Sequence, residues 1–97
     1  MLDFSKKEKK HFQVKLRDGR LLCVYAPTLD LLEDFSKINV HEMDVNSLRS
    51  VLSGILSNNM QKAKVEPAQI GELTMPEIEA LIEEITNFVN EVASSKN

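Results

Sequence analysis

The chain has 97 residues, of which 42% are apolar and 28% charged, and its formal net charge is −3. That length suits one small domain with a modest core. The single cysteine, Cys23, excludes an intrachain disulfide and argues against a zinc cluster.

No apolar run approaches the ~18 residues of a membrane span. The first residues, "MLDFSKKEKKHF", lack the apolar core of a secretion signal, so a reducing intracellular setting is expected. Charge is segregated along the chain. Residues 1–20 carry a local +4, residues 21–64 carry −1, and residues 65–95 hold seven glutamates and no base. Such an arrangement orients partners, or simply solvates an uneven surface.

Residues 1–10 read as a flexible, lysine-rich arm, residues 11–93 as a single α+β domain, and residues 94–97 as a disordered tail. In "HFQVKLRDGRLLCVYAP", Phe12, Val14 and Leu16 alternate with polar residues, which is the pattern of a half-buried strand. Asp18-Gly19 is a strong hairpin signal, because a two-residue type I′ turn needs positive φ at both centres. That loop sets Arg17 opposite Arg20, Leu16 opposite Leu21, Val14 opposite Cys23 and Phe12 opposite Tyr25. The second face then carries Leu22 and Val24, which require another cover. Cys23 packs as a small hydrophobe, and Pro27 ends the strand.

Thr28 is placed to cap a short helix, "TLDLLEDFSKI", with Asp30 in its first turn. Its apolar residues Leu29, Leu31, Leu32, Phe35 and Ile38 cover about half the circumference, more than one small core uses. After a loop at "NVHEM", Asp44 or Asn46 caps a second helix whose Val45, Leu48, Val51, Leu52, Ile55 and Leu56 keep helical spacing, and Asn58-Asn59 ends it. Residues 61–72, with Pro67 and Gly71, read as a connection without an assignable element.

The clearest element is the last. "TMPE" at 74–77 is a Thr-x-x-Glu capping box with Pro76 in the first turn. It opens a helix from about Met75 to Val92. Ile78, Leu81, Ile82, Ile85, Phe88, Val89 and Val92 form a stripe about 120° wide. Glu79, Glu83, Glu84 and Glu91 lie opposite, either solvated or turned toward a basic partner.

Catalytic motifs are missing: there is no nucleotide loop, no Gly-x-Ser-x-Gly, no His-Glu-x-x-His and no calcium loop. His11 and His41 stand thirty positions apart, and His41, Glu42 and Asp44 read as loop rather than as a metal set. The expectation is a non-enzymatic α+β module, an antiparallel hairpin followed by three helices, with no cofactor and no metal. Its spare apolar surface, Leu22, Val24, Leu31, Phe35 and Ile38, is the expected partner-binding site, suited to transient capture of exposed helices.

The order "FQVKLRDGRLLCVYAPTLDLLEDF", an aliphatic helix, then "ELTMPEIEALIEEITNFV" resembles the tail assembly chaperones of long-tailed bacteriophages and prophages. The resemblance spans about residues 12–92. In that family a strand–Asp-Gly–strand unit leads into an apolar segment. A final helix follows whose pattern falls here on Leu73, Thr74, Glu77, Ile78, Leu81, Ile85 and Phe88. The resemblance implies a protein that keeps the long tape-measure protein soluble and helps recruit tail-tube protein. It further implies a bacterial cytoplasmic location and absence from the mature virion. Two other readings remain open. One is a nucleic-acid or transcription accessory protein using "KKEKK" with Lys15, Arg17 and Arg20, against which the acidic helix argues. The other is a module that forms a homo-oligomer through its apolar faces.

Overall fold

The structure is a computed structural model that describes residues 10–38, 42 and 44–94. Residues 1–9 of the expected arm (1–10), His41 and residues 95–97 of the expected tail (94–97) lie outside the described residues. Strands β1 (His11–Lys15) and β2 (Leu21–Tyr25) pair antiparallel and are followed by helices α1 (Leu29–Ser36), α2 (Val45–Ser57), α3 (Pro67–Ile70) and α4 (Met75–Ser94). The architecture is α+β. The single turn α3 falls in the connection at residues 61–72, where no element was assignable from the residues alone.

The hairpin forms where expected, but its register is one residue away from the expected one. Val14 faces Leu22, Phe12 faces Val24 and Gln13 faces Cys23. The reason lies in the loop. Leu16 N–H donates to the Arg20 carbonyl at 2.8 Å, and Gly19 N–H donates to the Leu16 carbonyl at 2.9 Å. The loop is therefore Arg17-Asp18-Gly19, three residues instead of two, with Gly19 in the left-handed region at φ 92°. The Asp18 carboxylate fastens it by accepting from Arg20 N–H at 3.0 Å and from Arg20 Nε at 2.9 Å.

Because side chains alternate, a one-residue change of register turns β2 over relative to β1. Leu22 and Val24, expected on a face awaiting a partner, instead join Phe12 on the core side and are 1% and 0% exposed. Cys23 lies on the other side, half-buried.

The outer edge of β2 is closed by the chain that leaves α2. Tyr25 N–H donates to Asn58 O, Met60 N–H donates to Cys23 O, and Cys23 N–H donates to Gln61 Oε1, each at 2.9 Å. Asn59 is buried there with its amide fully used. Nδ2 donates to the carbonyls of Leu56 and Ala63 at 2.8 Å each, and Oδ1 accepts from Ala63 N–H at 2.9 Å. These bonds hold a turn in which Lys62 takes φ 56°.

Beneath the hairpin lie Leu48, Leu52, Ile55 and Leu56 of α2, joined by Val65, Ile70 of α3, and Ile78 and Ile85 of α4. Each fully buried aliphatic side chain contributes about 1.5–3 kcal/mol. Thr28 caps α1 as expected, its Oγ1 accepting from Leu31 N–H at 3.3 Å. No residue of α1 is fully buried. Leu31 lies over Gly54 of α2, where a Cβ would come within 3.2 Å of its Cδ2. The glycine thus lets α1 settle onto α2.

The capping box of α4 forms. Thr74 N–H donates to Glu77 Oε1 at 2.9 Å, and Glu77 N–H donates to Thr74 Oγ1 at 3.4 Å. Along the apolar stripe Ile78 and Ile85 are buried, whereas Leu81, Ile82, Phe88 and Val89 are half-buried against the core. Phe88 meets Phe12 of β1 with ring centroids 4.9 Å apart at 43°, a favourable tilted pair.

Two stability outcomes follow. Ile85→Ala, at a site with no solvent exposure, costs ~2–5 kcal/mol in urea unfolding, while Leu81→Ala at the half-buried edge costs less. Asn59→Asp loses both donated bonds and sets a carboxylate against two carbonyls. It lowers stability by at least ~2 kcal/mol at neutral pH, and an unchanged urea midpoint would contradict the Asn59 network.

Candidate functional site

Residues 13–18 of the hairpin stand opposite residues 69–73 around the end of α3 and one side of α4, leaving a groove of about 520 Å³. Its apolar lining comes from Val14 and Leu16 on the hairpin, Leu73 before α4 and Leu81 on α4, all half-buried, with buried Leu56, Val65 and Ile70 below. Ala80 keeps the α4 wall low between Glu77 and Glu84. The rim has two signs. Lys15 and Arg17 stand on the hairpin side, and Glu72, Glu77 and Glu84 stand on the helical side.

One ion pair closes an end of the groove. Arg17 Nη2 donates to Glu77 Oε1 at 2.6 Å, although both side chains remain about half exposed. The same oxygen serves the α4 cap, accepting from Thr74 N–H at 2.9 Å and Thr74 Oγ1 at 3.1 Å. The backbone N–H of Thr74, then its hydroxyl and the Arg17 charge, hold the Glu77 carboxyl below the usual carboxylate range. The Asp18 carboxyl is likewise lowered, first by the Arg20 backbone N–H and then by its guanidinium. Among the described residues, Glu72, Glu84 and Lys15 make no ion pair.

The five residues expected to bind a partner do not form one exposed surface. Leu22 and Val24 are sealed in the core and correct that expectation, because the three-residue loop points them inward. Leu31, Phe35 and Ile38 are half-buried where α1 meets the core. Leu29, at the start of α1, is the open one at 83% exposure. Of the three hairpin cations grouped for phosphate contact, Arg17 is engaged by Glu77 and Arg20 by Asp18, and Lys15 alone is unpaired.

Among the described residues, no three His, Cys, Asp or Glu side chains converge to hold a metal. No helix there is long and apolar enough to cross a membrane. The groove itself escaped sequence reasoning, since its walls come from residues as far apart as Gln13 and Glu84. A partial signal existed in Leu73, which stands just before the Thr74 cap, five residues before the first buried residue of α4, Ile78. That is the spacing of a hydrophobic staple. No family model, curated protein or solved structure matches the chain.

The Glu77 carboxyl gives a pH signature. Its folded pKa is depressed, so its contribution is fully present above the ordinary carboxylate value of 4.5 and is lost as pH falls through the lower folded value. Glu77→Gln is expected to flatten that part of the acid stability profile. The effect is small for so exposed a group, and its sign is read from melting temperatures between about pH 6 and pH 3. A steeper acid loss in Glu77→Gln than in the parent would contradict the assignment.

Proposed function

We propose that this chain is a non-enzymatic binding protein of the tail assembly chaperone kind. In this reading it acts in the cytoplasm of a bacterial host, shields an apolar segment of a tape-measure protein, assists tail-tube recruitment and leaves before the virion is complete. The observation that supports the reading is the groove: an open trough over an apolar floor, with charge on both rims. A surface of that kind suits the reversible capture of a client segment. The resemblance over residues 12–92 points the same way.

The groove takes the place of the expected surface that included Leu22 and Val24. The nucleic-acid reading loses support, since two of its three hairpin cations are already neutralised by acids of the same chain. The acidic side of α4, with Glu79, Glu83 and Glu91 exposed, then serves mainly as a charged surface that limits aggregation.

The test is co-expression with a tape-measure protein encoded beside this chain. The soluble fraction of that client should rise several-fold with the parent chain. It should fall back with Leu73→Glu, whose folding is checked by circular dichroism, and with the rim double variant Lys15→Glu/Glu84→Lys. A client equally soluble with and without the chain would refute the chaperone reading. So would a genomic neighbourhood that lacks any long helical reading frame.

A further inference from the structure

The two edges of the β1–β2 sheet are treated differently by the fold. In an antiparallel pair, alternate residues of each strand direct N–H and C=O at the partner, and the others direct them outward. The bonds from Leu16 N–H to Arg20 O and from Ala26 N–H to Lys10 O flank the ladder and place the inward set at even positions of β1, Phe12 and Val14 included. His11, Gln13 and Lys15 therefore direct their backbone groups outward. On β2 the equivalent groups of Cys23 and Tyr25 are taken by Asn58, Met60 and Gln61. On β1 no partner among the described residues takes those of Gln13 and Lys15. The open edge is also the hairpin wall of the apolar groove, which Gln13, Val14 and Lys15 line.

We infer that the free edge of β1 accepts an extended segment of a partner protein as a third strand. Alternate apolar side chains of that strand enter the groove over Leu73 and Leu81. The inference rests on the reading of the chain as a client-binding protein and specifies how the client is held.

Charge selects the occupant. Glu72 and Glu84 are unpaired on the far rim, so the inward face of the segment carries a Lys or Arg beside its apolar residues. Lys15 is unpaired on the solvent side of β1, so the outward face carries an Asp or Glu opposite it. A second copy of this chain fits poorly. Strand β1, His11–Lys15, carries Lys15 and no acid, so a second β1 edge offers nothing to pair with the Lys15 of the first. A ladder of main-chain bonds supplies affinity with little demand on client sequence, and the groove and rim supply the alternation and charge that are read.

The experiment uses the full chain and a synthetic capped heptapeptide, Thr-Val-Glu-Val-Thr-Lys-Thr, which carries the stated alternation. On titration to about 1 mM, the amide protons of Gln13 and Lys15 should shift and gain exchange protection. That of Val14, already bonded to Leu22, should not. Two peptides N-methylated at alternate residues should behave oppositely: methylation on the bonding edge abolishes binding, and methylation on the other edge leaves it within about threefold. Gln13→Pro removes one edge donor and should weaken the peptide at least tenfold. If that variant unfolds, the N-methylated pair on the parent chain decides.

No shift at Gln13 and Lys15 at the highest peptide concentration would overturn the inference, as would equal binding of both methylated peptides. A tape-measure client that binds while Gln13 and Lys15 stay unprotected also removes this binding mode and leaves the chaperone reading standing. A peptide that binds as described beside a client that does not bind leaves the open edge supported and removes the chaperone reading instead.

Discussion

The hairpin loop, with Gly19 at φ 92°, has three residues, and the packing of the whole domain depends on that count. With it, Phe12 and Val14 share a face with Leu22 and Val24, and this four-residue patch is turned to the helical core. A loop one residue shorter would present Cys23 and Tyr25 to α2 in their place. The aliphatic residues Leu52, Ile55 and Leu56 would then lose their fit, and Leu22 and Val24 would meet water. A side chain at position 19 would have to adopt a conformation that L-residues seldom take, which explains why the glycine follows an aspartate able to grip Arg20 from the other side of the turn.

What could be read from the sequence was what local chemistry decides. Thr28 and the Thr74–Glu77 box cap their helices with neighbours three residues away, and the stripe from Ile78 to Val89 repeats with the helical period. The strands could be read from alternation in β1 and from Asp18-Gly19. The register could not. Asp-Gly serves both a two-residue loop and a three-residue one, since each places glycine at positive φ. The tie would normally be broken by alternation in the second strand, but "LLCVY" is apolar at every position and carries no parity. What breaks it is tertiary: the strand is turned to suit α2 and is fixed on its other edge by residues 58–61, far along the chain. The candidate site inherited that error at Leu22 and Val24. The groove that replaces it was beyond local reading, because Lys15, Leu73 and Glu84 converge only after the hairpin, α3 and α4 have assembled.

The segregated charge also gains a structural meaning. The basic first twenty residues and the acidic last third are not merely opposite ends of the chain. The fold lays the hairpin beside the start of α4, so that Arg17 and Glu77 meet and the remaining charges flank an apolar trough with opposite signs. Exposed pairs of this sort add little stability. Their value lies in orientation, since a trough with a positive and a negative lip distinguishes the two faces of whatever enters it.

Glu77 also carries an implication for the order of events in folding. Its carboxylate closes two loops of very different length, one to Thr74 three residues away and one to Arg17 sixty residues away. Helix formation around the first is a submicrosecond event, whereas the second must wait for a long loop whose closure entropy is larger. The cap is therefore present when α4 docks, and Arg17 arrives at a carboxylate already oriented by the Thr74 backbone. In the transition state for folding, Thr74 should have gained more of its native interactions than Arg17. A growing chain would show the same sequence in time: the hairpin emerges first, with Arg17 waiting, and the molecule closes only when the acidic helix has been made.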